Sequence, residues 1–271
     1  MTFSVLMSIY HKEEATYFER SLISIWDEQL KKPDEIVLVE DGPLTTELYS
    51  VIKKWQKILG KTLKIVKLEK NVGLGNALNA GLTECSHELI ARMDTDDIAT
   101  PDRFKKQLKI FEDKDIDICS SWVSEFDEDE NTITGYRIVP KTHQAIIRLA
   151  KIRSPLNHPA VMYKKSAILN AGGYEQITWF EDYFLWIKMI MNGATFYNIQ
   201  EPLVKMHAGH SQILRRAGIA YAKSEYEFQK RIFKLGFLNR YEFIRNTFIR
   251  FVTRIVPKRL TRQIYKLLRK Y

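Results

Sequence analysis

Cysteine is nearly absent: the 271 residues hold only Cys85 and Cys119. They stand far apart and lack metal-ligand spacing, which excludes a disulfide framework and a Cys-based zinc site. They read as buried thiols in a reducing compartment. No apolar run approaches the roughly 20 residues that a membrane-spanning helix needs. Met1-Thr2-Phe3-Ser4-Val5-Leu6 has no basic stretch ahead of it and runs straight into a strand pattern, so no signal peptide is expected. Low-complexity tracts and internal repeats are also missing, which excludes solenoids and disordered linkers. The charge balance is most one-sided at the carboxyl-terminal end. From Lys234 onward eleven basic residues face a single acid, Glu242, a local balance of +10 in a chain whose total is +9. The excess charge therefore belongs to a tail and not to the body of the fold.

Hydrophobic residues make up 45% and charged residues 28%, so an ordinary globular core is affordable. The length suits one large domain or a domain with an appendage. The first ~100 residues alternate two periodicities. Phe3 to Ile9, Glu35 to Val39, Thr62 to Leu68 and His87 to Ala91 read as strands. Tyr17 to Leu30, Leu44 to Leu59 and Asn76 to Thr83 read as helices between them. That alternation predicts an α/β fold with a Rossmann-like, mostly parallel sheet and helices on both faces. Farther on, Asp117 to Ser121 is a strand, and Trp122 to Val139 reads as a hairpin with an acidic turn. His143 to Ala150 is a helix, Pro159 to Tyr163 a strand and Trp179 to Met191 a helix. Thr195 to Ile199 and Leu203 to His207 are two short strands, and Ile219 to Leu235 is a helix.

The organising stretch is Arg92-Met93-Asp94-Thr95-Asp96-Asp97, between a strand and Ile98-Ala99-Thr100-Pro101, which reads as the entry to a helix beginning near Pro101. The carboxyl end of such a strand is where open α/β sheets bind ligands. Three carboxylates so close cannot all ionise comfortably unless a cation or hydrogen-bond donors share the load. Mg²⁺ or Mn²⁺, held by one or two carboxylates and by substrate phosphate oxygens, fits that need. A solvated acidic turn capping a helix is the plainer alternative. Gly73-Leu74-Gly75 follows the third strand and lacks the third glycine of a dinucleotide fingerprint, so it reads as a tight turn before a helix.

In the tail, Tyr241, Ile244, Phe248, Phe251, Val252 and Ile255 share one helical face, with Arg240, Arg250 and Arg254 on the other side. After Pro257, Leu260, Ile264, Leu267 and Leu268 form a second stripe flanked by basic residues. Basic amphipathic helices of this kind lie on anionic membrane surfaces. Such an apolar stripe exceeds what a phosphate-tracking helix needs, so no nucleic-acid partner is expected.

Six segments, in order, carry a family resemblance. They are Val5-Leu6-Met7-Ser8-Ile9-Tyr10, Val37-Leu38-Val39-Glu40-Asp41-Gly42-Pro43, Asn71 through Gly81, Ala91 through Asp97, Asn157-His158-Pro159-Ala160-Val161-Met162, and Gly172-Gly173-Tyr174 followed by Glu181-Asp182. Together they resemble the family 2 glycosyltransferases, inverting enzymes of GT-A fold that use nucleotide sugars, and among them the bacterial enzymes of O-antigen, capsule and exopolysaccharide synthesis. The resemblance implies a transferase domain over residues 1–210 and a helical, basic, membrane-surface tail over 211–271. It implies that Asp94 touches the ribose or phosphates and joins Asp96 at a Mn²⁺ or Mg²⁺ ion, with Asp97 completing the cluster. His207 would add a metal or diphosphate contact. Asp41, or its neighbour Glu40, would meet the base, and Tyr10 would flank base or ribose. Asp182 would be the catalytic base, with Glu181 beside it. Ser8 and His11 stand where the family often has Pro and Asn, Glu40 where it often has Asp, and Phe184 where Asp is frequent.

An inverting transfer must stabilise a departing nucleoside diphosphate, deprotonate an acceptor hydroxyl and hold both in line. Arg92, Lys70 or His207 could supply positive charge for the first task, and the Asp182 carboxylate a base for the second. The implied reaction moves a hexose, best matched by galactose or glucose from a UDP donor. The acceptor is a hydroxyl of a polyprenyl-diphosphate-linked sugar, at the cytoplasmic face of a bacterial membrane where the enzyme would sit peripherally. A binding protein without catalysis is a competing reading, opposed by the intact Asp94, Asp96 and Asp182. A sugar nucleotidyltransferase is another. Its loop after the first strand usually carries glycines, whereas Tyr10-His11-Lys12-Glu13 has none.

Overall fold

The computed structural model describes residues 1–208 and 219–255. They form two compact units. The first comprises residues 1–176 and 181–208; the second takes in 177–180 and the described residues after 218.

The first unit begins with the expected alternation: β1 (Phe3–Ile9), α1 (Ala15–Trp26), β2 (Glu35–Glu40), α2 (Thr46–Leu59), β3 (Leu63–Lys67), α3 (Leu74–Glu84) and β4 (Leu89–Arg92). These four strands are parallel, in the order β3-β2-β1-β4. Every residue of β2 is buried, because helices cover both faces of the sheet. The two-residue period divides its side chains. Ile36 and Leu38 enter one core with Phe18, Leu22 and Ile25 of α1 and Trp55 of α2. Val37 and Val39 enter the other with Leu78 and Leu82 of α3. Each such burial contributes roughly 1.5–3 kcal/mol. Gly81 lets α3 lie close on the sheet: a Cβ there would sit 2.4 Å from Leu6 Cδ1 and 2.6 Å from Val39 Cγ2.

The second half of this unit departs from pure alternation. It contributes β5 (Ile98–Ala99), α4 (Arg103–Asp113), β6 (Ile118–Phe126), β7 (Ile133–Arg137), α5 (His143–Ala150), β8 (Met162–Lys164), α6 (Lys165–Asn170), α7 (Glu181–Met191) and β9 (Phe196–His207). Among the described residues the sheet runs β3-β2-β1-β4-β8-β6-β9-β5, with β7 paired to β6. β8 lies antiparallel between β4 and β6. Parallel pairing resumes between β6 and β9.

Three local expectations are corrected. Ile98-Ala99, read as the entry to a helix, forms an edge strand antiparallel to Lys205 and Val204, and α4 follows from Arg103. The two short strands around Pro202 are one continuous β9, because register shifts at Trp122 absorb the proline, which cannot join a regular ladder. His158–Ala160 is a 3₁₀ turn, so the strand in that stretch is shorter than expected and begins at Met162.

The second unit contains two helices, α8 (Ile219–Lys234) and α9 (Arg240–Ile255). Gly236, at φ 81°, ends the first. A reciprocal cap starts the second: Asn239 Oδ1 accepts from the Glu242 N–H at 2.8 Å, and Glu242 Oε2 accepts from the Asn239 N–H at 2.9 Å. Phe180 stacks on Phe228 at 4.7 Å between ring centroids, and Trp179 lies 5.2 Å from Tyr221. The predicted second stripe, Leu260 to Leu268, lies outside the described residues.

Candidate active site

The site grows from the carboxyl end of β4. Backbone bonds fix the chain there: the Arg92 N–H donates to Val161 O at 2.9 Å and the Met93 N–H to Leu6 O at 3.1 Å. Arg103, fully buried on α4, donates to Arg92 O at 2.6 Å, to Gln107 Oε1 at 3.0 Å and toward Met93 Sδ at 2.9 Å. Burial, and then the charge of Arg92, depress its guanidinium to about 9, so it remains cationic at neutral pH. With the backbone pinned, the chain turns and the side chains of Asp94, Asp96 and Asp97 converge. One carboxylate oxygen from each lies within 4.8 Å of the others.

Each carboxylate has different company. Asp94 pairs with both terminal nitrogens of the buried Arg92, and its carbonyl accepts from Ser21 Oγ at 3.0 Å. Burial works against the Arg92 charge, but Asp94, joined by Tyr174 and Asp97, outweighs it and holds that guanidinium above its ordinary value. Asp96 has His207 Nδ1 at 3.8 Å. Burial and then the neighbouring Asp94 charge push its carboxyl up to about 6. Asp97 is 1% exposed; its Oδ1 accepts from the His207 N–H at 2.9 Å, while its buried Oδ2 has no hydrogen-bond partner. Burial, then Asp96 and Asp94, raise it well above the carboxylate range. The His207 ring stands between Tyr17, at 4.5 Å, and Phe126, at 5.3 Å.

A cluster of this kind is under-neutralised. Three carboxylates share one directly paired arginine, and one buried oxygen atom lacks any donor. A hard divalent cation satisfies such an oxygen set and favours the ionised form of every member. The residues therefore fit the Mg²⁺ or Mn²⁺ that the sequence implied.

The neighbouring loops hold the other residues. Tyr10 follows β1 directly, and its carbonyl accepts from the Glu13 N–H at 3.1 Å. Asp41, after β2, is 3% exposed. Its carboxylate gathers the loop before α3, accepting from the Val72 N–H at 2.7 Å, the Gly73 N–H at 3.2 Å and Asn71 Nδ2 at 3.0 Å. Gly42 permits this approach, since a Cβ there would lie 2.6 Å from the Asn71 nitrogen, and its φ is +86°. Glu40 is equally buried, and burial raises its carboxyl against the pull of Lys67.

Asp182 lies half-buried in the first turn of α7, beside Glu181. The start of α3 reaches this turn: a Cβ on Gly75 would sit 3.5 Å from Glu181 Cγ and 3.3 Å from Tyr174 Cβ. Asn79 clamps α3 to the Tyr174 backbone, donating to its carbonyl at 2.7 Å and accepting from its N–H at 2.8 Å. The Tyr174 hydroxyl meets His158 Nε2 at 2.9 Å. Burial raises that phenol, Arg92 opposes, and Asp182 and Asp94 raise it further. This buried phenol thus lies within electrostatic reach of both Asp94 and Asp182. Sequence reasoning missed Arg103, Asn79 and the Tyr174 hydroxyl as supports. A signal existed for the first: Arg103 and Gln107 fall on the buried face of α4 with Phe104, Leu108 and Phe111.

Residues 4–175 match the profile described as "Glycosyl transferase family 2". A UDP-Gal:alpha-D-GlcNAc-diphosphoundecaprenol beta-1,3-galactosyltransferase of Escherichia coli is 40% identical over 97% of this chain and 95% of its own. An uncharacterized glycosyltransferase of Haemophilus influenzae is also 40% identical, over 98% of both chains. Among solved structures, a mannosyltransferase of Pyrobaculum calidifontis in complex with GDP-Man and Mn²⁺ superposes with a TM-score of 0.63. It is 18% identical, and the match covers 86% of this chain and 64% of that one.

Proposed function

The chain belongs to glycosyl transferase family 2, and from that premise we propose that it is an inverting galactosyltransferase. In this reading it moves galactose from UDP-galactose to a hydroxyl of N-acetylglucosamine carried on a polyprenyl diphosphate, during assembly of a surface polysaccharide. The observation that carries the substrates is the 40% identity, over nearly both whole chains, with an enzyme whose name states that donor and acceptor. The enzyme would work at the inner face of a bacterial cell membrane. No helix among the described residues is long and apolar enough to cross one.

The residues divide the work by their surroundings. Asp96, Asp94 and Asp97 would hold the divalent cation, with His207 at their edge. When bound, that cation supplies positive charge to the diphosphate of the donor. Arg92 orients Asp94 and lends a fixed cation behind it. Tyr10 and the Asp41-organised loop of Asn71–Gly73 would border the nucleoside. Asp182, in a helix first turn, would take the proton of the acceptor hydroxyl as that oxygen attacks the anomeric carbon and the nucleoside diphosphate leaves. The Asn79 and His158 contacts on Tyr174 keep α3 and the Asp182 segment in fixed relation.

Purified protein would be incubated with Mn²⁺, a panel of UDP-, GDP- and dTDP-sugars and a synthetic GlcNAc-diphosphate lipid, with Asp182→Asn as control. Transfer from UDP-galactose alone, lost in the variant, is the expected result. Transfer from another donor would correct the sugar and keep the class. Nucleotide binding without transfer to any acceptor would support a binding protein instead.

A further inference from the structure

The second unit contains a helix whose packing is inverted. The face that α9 turns toward α8 includes Asn246, which is 4% exposed and whose Nδ2 donates to Gln229 Oε1 at 3.3 Å. On the same face Arg250 pairs with the buried Glu225. Phe243 stacks on Phe233 there, 4.9 Å between centroids. Apolar side chains point the other way. Tyr241 is 72% exposed, Phe248 67%, Ile244 56% and Ile249 51%. At 100° per residue Tyr241, Ile244 and Phe248 fall within an arc of about 60°. Helices of soluble domains do the reverse, turning the apolar stripe inward and the charges outward. Here buried polar partners are spent on holding the helix so that its apolar stripe stays outside.

We propose that this outer face of α9 is a docking surface for an anionic lipid bilayer. Charge decides between a bilayer and a second copy of the chain. Arg245 lies at the edge of the stripe, its guanidinium carbon 6.0 Å from the Tyr241 ring centroid. The chain from Lys234 onward has eleven basic residues and one acid. Two such faces brought together would bury like charges against each other, whereas an anionic headgroup layer neutralises them. The chemistry of the stripe fits as well. Phe248 and Ile244 are apolar enough to enter the acyl boundary, and Tyr241 has the amphipathic ring that favours the headgroup level. The surface deepens the proposed function, since a lipid-linked acceptor is confined to such a bilayer. The argument for it stands on the second unit alone.

The test is flotation of the full chain with vesicles of phosphatidylcholine, alone or mixed with phosphatidylglycerol. The wild-type chain should partition at least about tenfold more strongly onto the anionic vesicles, and less as salt rises. Phe248→Asp and Ile244→Asp should each reduce that partition by about tenfold, and Arg245→Gln by roughly fivefold. Circular dichroism and donor hydrolysis in solution, both unchanged, would show that the variants fold. Wild-type and Phe248→Asp chains floating equally would overturn the proposal. So would a concentration-dependent dimer that Phe248→Asp dissociates, which would assign the face to a second copy. A monomer that ignores both kinds of vesicle would mean that the chain covers the stripe itself, and would overturn it too. None of these outcomes bears on glycosyl transfer, which is read separately with the soluble donor.

Discussion

The two ends of the parallel half of the sheet, β1 to β4, treat buried carboxylates in opposite ways. At the amino end, Glu35 opens β2 beside Ser4 of β1. It accepts from Ser4 Oγ at 2.5 Å, from the Ser86 N–H at 2.8 Å and from Ser86 Oγ at 2.8 Å. Burial would raise this carboxyl, but those donors outweigh it and hold it below its ordinary value. At the carboxyl end, Asp96 and Asp97 have fewer donors and acidic neighbours, and both are raised. The first arrangement stabilises the fold. The second costs stability and keeps oxygen atoms available to a cation. Burial is common to both; the supply of donors separates a structural acid from a functional one.

The largest test of this contrast is at the active end. Asp182→Asn should lower kcat by about 10³-fold, within the range for loss of a general base, while UDP binding and the thermal midpoint stay within error. A drop in the midpoint of several degrees would make Asp182 a structural acid like Glu35 and break the comparison.

A smaller effect separates the metal cluster. Asp96→Asn should weaken Mn²⁺ binding, read by calorimetry on the UDP-bound protein, by at least about tenfold. Its thermal midpoint without metal should not fall, because the substitution removes a repulsive charge. Asp97→Asn should also hold its midpoint, since the amide oxygen can still accept from the His207 N–H. Metal affinity unchanged in both variants would remove the cation from this cluster.

Glu35→Gln should do the opposite. The loss is about 2 kcal/mol of stability at neutral pH, the scale of hydrogen bonds to a buried charge. The kcat of the folded fraction should be unchanged, because Glu35 lies at the far end of the sheet. Urea denaturation beside a transfer assay separates the two readouts.

The cluster was legible because its members are neighbours in sequence, and the alternation of β1 to β4 because each strand is a short, mostly apolar run bounded by polar turns. Less local facts were hidden. The antiparallel insertion of β8 depends on Met162 pairing with both Ala91 and Cys119, across separations that no periodicity reports. The sequence assigns Asp41 to the base and says nothing of the loop 30 residues farther along that its carboxylate gathers. The stripe of α9 was visible as a period, but only its packing on α8 shows which face is outside. Local pattern gives an element and its faces; distant partners decide which face is spent on the core.

The smallest effect is the pH dependence of Glu35, and its sign follows from the donors. A carboxyl held below its ordinary value in the folded state is stabilising at full strength above about pH 4.5, where the unfolded chain has also ionised. The stabilisation fades as pH falls through the folded-state value, when the native carboxyl takes up its proton. The urea midpoints of wild type and Glu35→Gln should therefore differ by a constant amount from about pH 8 to 5.5 and converge below about 4.5. The hydroxyls of Ser4 and Ser86 do not titrate in that range, and with the neighbouring His87, 3.8 Å from Glu35, replaced by Gln in both chains the convergence reports the carboxylate. A gap that widened as pH fell would mean that Glu35 is held protonated in the fold. The two ends of the sheet would then obey one rule, set by burial, and the distinction drawn from their donors would fail.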